Sequence, residues 1–141
     1  MLRDYSAEDI DQILDIWLSA SIKAHDFIEP AFWKSKLDAM RNLYIPASET
    51  RVFENASGII GFYSLYANTL AAIFVSPEYQ GKGIGTALLS DAMRKRQILR
   101  LTVYKANHSS ILFYEKQGFV VIDEQIDEHT GQPELVMEYC A

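Results

Sequence analysis

The residues with the clearest chemical potential are Gln80-Gly81-Lys82-Gly83-Ile84-Gly85-Thr86. They follow the apolar run Ile73-Phe74-Val75 and a short connection through Pro77, and they open into the helical spacing Ile84, Ala87, Leu88 and Ala92. Glycines at three alternate positions remove Cβ atoms from the start of a helix. There the unsatisfied backbone N–H groups and the positive end of the helix dipole can approach an anion closely. The pattern suits a pyrophosphate. Spacing excludes two common phosphate binders: a P-loop needs lysine directly before its serine or threonine, whereas Thr86 follows Gly85. A dinucleotide fingerprint needs a glycine at the third small position, directly after a strand; here that position is Thr86 and Pro77 intervenes. Taken alone, the glycines also fit a plain tight turn, so a second group of residues has to decide.

That group lies downstream. Asn107 opens a helical stretch that carries Tyr114 seven residues later and closes in Gly118-Phe119. Gln80-x-x-Gly83-x-Gly85 resembles the acyl-CoA pyrophosphate motif of the GCN5-related N-acetyltransferases (GNAT), and the stretch from Val103 through Phe119 resembles that family's second signature. With the order of strands and helices, the resemblance covers essentially the whole chain. It implies acetyl-CoA as cosubstrate and a primary amine as acceptor, either a protein lysine, a protein N-terminus or a small molecule, attacking directly in a ternary complex. It also implies that Ile73-Phe74-Val75, through backbone groups of Ile73 and Val75, meets the pantetheine arm and acetyl group. The loop Gln80, Gly81, Lys82, Gly83, Ile84, Gly85 and Thr86 would hold the pyrophosphate, Asn107 the pantetheine side, and Tyr114 would protonate the departing thiolate. Tyrosine chemistry agrees: with an ordinary pKa of about 10, the phenol is an acid rather than a base at neutral pH. The alternative on the same scaffold is a non-catalytic acyl-CoA sensor.

One departure bears on mechanism. Five residues before Asn107, where the branch of the family that acetylates protein N-termini often has a glutamate base, this chain has Thr102. Deprotonating a lysine amine of pKa about 10.4 at pH 7 costs roughly 4.6 kcal/mol, against about 1 kcal/mol for an α-amine. The candidates to help are in His25-Asp26-Phe27-Ile28-Glu29, where His25 titrates nearest neutrality and Asp26 or Glu29 can orient it or meet a cationic amine. A solvated loop explains the same residues. No metal-ligating cluster is read from the sequence; Cys140 is the lone cysteine.

The elements that must position these groups are legible from periodicity. Leu2 to Tyr5 reads as a strand. Ser6 and Asp9 read as a helix start, with Ile10, Ile13, Leu14 and Trp17 on one face. A second helix is expected from Pro30 to just before Pro46. Three strands follow (50–54, 59–66 and 70–75), then a helix to about Arg96, a strand at 101–104, a helix from Asn107 or Ser109 to Lys116 with Gly118 just beyond it, and strands at 119–125 and 135–140. The fold class is mixed α/β: a mostly antiparallel GNAT-like sheet of about six to seven strands flanked by about four helices, in one domain over 1–141. The charge-free stretch 55–77 is broken by Ser57-Gly58, Gly61 and Asn68-Thr69, and reads as two buried strands rather than a membrane span. Nineteen acidic against thirteen basic residues, net charge −6, oppose nucleic-acid binding and favour cationic partners such as a basic protein segment. The N-terminal residues carry no secretory pattern, so a cytoplasmic location is expected.

Overall fold

The computed structural model describes Met1–Ala141, and its secondary structure is that of the expected class: seven strands, with every pairing given below antiparallel, among helices. The chain forms two compact units, Met1–Ala92 and Met93–Ala141.

In the first unit, β1 (Leu2–Asp4), β2 (Glu49–Asn55), β3 (Gly58–Tyr66) and β4 (Thr69–Val75) pair in sequence order. Ala67-Asn68 makes the tight β3–β4 turn, with Ala67 at φ 52°. Helix α1 (Ile10–Ala24) packs on β3 and β4 and buries Ile13, Leu14, Ile16, Trp17, Ala20 and Ser21. Its start is held electrostatically. Asp9, almost wholly buried, accepts the Ser6 N–H at 2.8 Å and a two-pronged bond from the Arg3 guanidinium at 2.8 and 2.9 Å. Arg3 also bonds Glu54 of β2, tying both strands of the β1–β2 pair to the helix start.

The second helix departs from expectation. Instead of one run ending before Pro46, α2 (Pro30–Ser35) is followed by the single turn α3 (Leu37–Ala39), a π-helical stretch Met40–Tyr44, and the single turn α4 (Ile45–Ala47), which contains Pro46. Proline has no N–H to donate and its ring crowds the preceding turn. The wider π turn, in which the Ile45 N–H reaches the Met40 carbonyl, accommodates it without ending the coil.

Helix α5 (Ile84–Arg94) buries Ile84, Leu88, Leu89 and Ala92. Gly61 of β3 lets it sit close: a Cβ there would lie 3.0 Å from Leu88 Cδ1 and 3.1 Å from the Phe74 carbonyl oxygen. Replacing Gly61 with valine should therefore overfill this contact and lower stability by about 2 kcal/mol. Urea titration checks this; an unchanged midpoint would show that α5 can move away freely.

The second unit contains β5 (Ile98–Tyr104), α6 (His108–Lys116), β6 (Val120–Ile126) and β7 (Pro133–Cys140), with β7 paired to both β5 and β6. Strand β5 begins three residues earlier than its apolar core suggests, because Ile98 and Leu99 already pair with Cys140 and Tyr139. Strand β6 is exposed along its whole length and carries a bulge between Val121 and Asp123.

Candidate active site

The glycine loop takes the form its composition demands. Gly81 and Gly83 have φ of +77° and +82°, and a Cβ on either would meet nothing within 4 Å. These glycines are thus required by backbone sign rather than by crowding. The first α5 bond runs from the Ala87 N–H to the Gly83 carbonyl at 3.1 Å, so the N–H groups of Gly83, Ile84, Gly85 and Thr86 have no partner inside the helix. Lys82 lies with its Nζ 5.4 Å from the centroid of the Tyr79 ring, keeping a cation beside the loop. Open space, donor N–H groups and positive charge fit a diphosphate.

The preceding strand is read from its ladder. The Ser76 N–H bonds the Ile60 carbonyl at 2.8 Å, and the register pairs Gly61 with Val75, Phe62 with Phe74 and Tyr63 with Ile73. Bonded and non-bonded pairs alternate in an antiparallel ladder. Phe74 therefore directs its backbone groups to β3, while Ile73 and Val75 turn theirs away. Of the three residues, Phe74 has only its ring to offer a ligand, and that ring lies 5.9 Å from Phe62.

At the end of α1, His25 closes the helix, its N–H bonding the Ser21 carbonyl at 2.9 Å. Its imidazole tilts over Trp33 at 5.1 Å and meets the edge of Phe27 at 5.9 Å. Burial in this aromatic setting pushes the imidazole down to about 4. It is neutral throughout the physiological range, and so a hydrogen-bond acceptor rather than a cation. Because its pKa is depressed on folding, His25 contributes stability that is complete above about 6.5 and is lost as pH falls toward 4. Thermal unfolding of the native chain and a His25→Phe variant should therefore diverge between pH 6.5 and 4, the variant losing less; parallel curves would contradict the buried neutral ring. Asp26 and Glu29 are exposed, and Glu29 stands just before α2, its carbonyl accepting the Phe32 N–H at 3.0 Å.

In the second unit the sequence Asn107 to Phe119 explains itself. Asn107, 8% exposed, caps α6, its Oδ1 accepting the Ser110 N–H at 3.4 Å. The other end is a Schellman turn: the Phe119 N–H reaches the Tyr114 carbonyl at 3.1 Å and the Gly118 N–H reaches Glu115 at 3.1 Å, with Gly118 at φ +101°. The motif's usual apolar contact is here Tyr114 against Phe119, ring centroids 5.8 Å apart. Gly118-Phe119 thus fixes the seat of Tyr114. Desolvation pushes the half-buried phenol well above its ordinary range, keeping it protonated.

Sequence reasoning found these residues singly but missed two features. One is Gly61, which reads as a strand interruption. The other is a side-chain bridge from Lys23 through Gln80 to Val75, which joins residues too far apart in the chain for any motif to reveal.

The acetyltransferase (GNAT) domain model matches residues 46–121, and with the whole-length relative described next this shows that the chain belongs to the GCN5-related N-acetyltransferase family. It is an acetyl-CoA-dependent N-acetyltransferase. It is 31% identical to the peptidyl-lysine N-acetyltransferase YiaC of Escherichia coli K12 over 99% of this chain and 96% of that protein. It is 32% identical to the spermidine N(1)-acetyltransferase of Thermoplasma acidophilum over 97% and 94% of the two chains. Among solved structures, the apo form of YjaB from Escherichia coli superposes with a TM-score of 0.86 at 25% identity, covering 99% of this chain and 96% of that one. The fold also matches the PaiA N-acetyltransferase of Thermoplasma acidophilum, solved with coenzyme A, at a TM-score of 0.80 and 24% identity over 100% and 98% of the chains.

No helix is long and apolar enough to cross a membrane.

Proposed function

We propose that residues 1–141 form one catalytic domain that acetylates the side-chain amine of lysine in a protein or peptide, in the cytoplasm, through a ternary complex with acetyl-CoA. The observation that carries this reading is the loop 80–86. Its positive-φ glycines and free helix-start N–H groups fit the diphosphate, and Ile73 and Val75 present backbone groups away from β3 for the pantetheine arm. Asn107, as the cap that sets the start of α6, is the residue assigned to the pantetheine side. The peptidyl-lysine specificity of the relative matched over almost the full length and the net charge of −6 both favour a basic protein segment over a neutral small amine.

In the step proposed, the neutral amine nitrogen attacks the thioester carbonyl carbon, the C–N bond forms, and the C–S bond breaks. The sulfur leaves with the electron pair and takes the Tyr114 proton. The amine proton passes to His25 or to solvent. With a pKa of about 4, His25 is too weak a base to deprotonate a resting lysine ammonium. Its role is to accept a hydrogen bond from an amine already neutral, and then its proton once attack has made the nitrogen acidic. Exposed Glu29 draws the cationic side chain toward the site. Incubating the protein with acetyl-CoA and a panel comprising an N-terminally blocked lysine peptide, a peptide with a free N-terminus and spermidine, and following thiol release, tests the assignment. The blocked lysine peptide should react fastest; preference for spermidine or the free N-terminus would reassign the acceptor.

A further inference from the structure

Gln80 stands first in the glycine motif, yet its side chain turns away from the helix start. Its Nε2 donates to the Val75 carbonyl at 3.1 Å, and its Oε1 accepts from the Lys23 ammonium, also at 3.1 Å. The ladder explains why that carbonyl is available, since Val75 opposes Gly61 in a non-bonded pair and directs both backbone groups away from β3. One carboxamide therefore links three parts of the first unit: the last turn of α1, the end of β4, and the entrance to the glycine loop. With the carbonyl occupied, the group Val75 has left for a ligand is its N–H, a donor. Lys23 also lies two residues before His25, so the same bridge ties the cofactor strand to the element bearing the proposed acceptor contacts.

We propose that Gln80 is a positioning residue, fixing the end of β4 relative to α1 so that the Val75 N–H and the acceptor side of α1 keep their separation during acetyl transfer. The proposal rests on the cofactor reading of the loop given above. Both bonds are exposed to solvent, where water competes for the same groups. Lys23 serves as a charged donor to the amide oxygen, which also polarises the amide and strengthens its bond to Val75.

The test is a double-mutant cycle with Gln80→Met and Lys23→Met. Methionine keeps the length of each side chain without its hydrogen bonds. Turnover of acetyl-CoA with a blocked lysine peptide is measured beside coenzyme A affinity by calorimetry, and amide hydrogen exchange over Val75–Gln80 is followed in the coenzyme A complex. Gln80→Met should lower kcat about tenfold, the order expected when reacting groups lose alignment by less than an ångström, while coenzyme A affinity stays within threefold and exchange accelerates. Lys23→Met should cost about threefold alone and nothing further beside Gln80→Met. Unchanged kcat and exchange in Gln80→Met, a loss residing wholly in coenzyme A affinity, or additive effects of the two substitutions would each overturn the proposal. A native chain that takes up no coenzyme A would instead overturn the cofactor site itself, an outcome visible before any variant is compared.

Discussion

Gly83→Glu should reduce coenzyme A affinity at least a hundredfold while leaving the chain folded. Two effects act in the same direction. At φ +82° an L-residue pays about 1–2 kcal/mol of backbone strain, which tilts the loop away from the geometry that gathers its N–H groups. The new carboxylate then stands where a diphosphate must approach, and like charges a few ångströms apart in a partly desolvated site repel by several kcal/mol. Folding survives because a Cβ at this position meets nothing within 4 Å. Gly83→Gln separates the two effects, keeping the strain without the charge, and should lose about tenfold. Calorimetric titration with coenzyme A reads both; native-like affinity in the glutamate variant would show that the diphosphate does not bind at this loop.

Tyr114→Phe should lower kcat about a hundredfold, within the range general acids supply, with coenzyme A affinity changed less than twofold. The phenol is held above its ordinary pKa by desolvation alone, so it stays protonated at every working pH. A raised phenol is a weaker acid in water, but the thiolate it is proposed to protonate would be subject to the same desolvation, which raises the proton affinity of the sulfur as well. Phenylalanine preserves the ring contacts with Phe113 and Phe119 and leaves the Schellman turn intact, so melting temperature should hold. Equal turnover in the variant would remove the acid role. A fall in melting temperature matching the fall in rate would make the hydroxyl structural.

The parts of the molecule that could be read from the sequence are those whose cause is local. Gly118 announces the positive φ of a helix end, and has it; at Gly81 and Gly83 the sequence marks a loop stripped of Cβ atoms, and their positive φ is what the structure adds. Asn107 announces a cap because its side chain reaches a free N–H three residues on. The broken second helix was not legible: proline predicts an ending, and whether a π turn absorbs it instead depends on what the stretch packs against. Burial sets the character of His25, and burial comes from Trp33 and Phe27 around it, a tertiary fact that leaves no trace in periodicity. Gly61 belongs to the same category, since its partner Leu88 lies on a helix the chain reaches only after another strand.

Strand β6 has β7 on one side only, and Val120, Val121, Ile122 and Ile126 are all between 45% and 60% exposed. Such an edge invites another chain to extend the ladder. The bulge beside Ile122 spoils the regular spacing of donors and acceptors, and Asp123 and Glu124 set carboxylates at the centre of the strand, where antiparallel stacking of a second copy would bring them face to face. The same seven residues that expose this backbone edge thereby also carry the features that oppose fibrillar growth from it: two acidic side chains and one irregular residue.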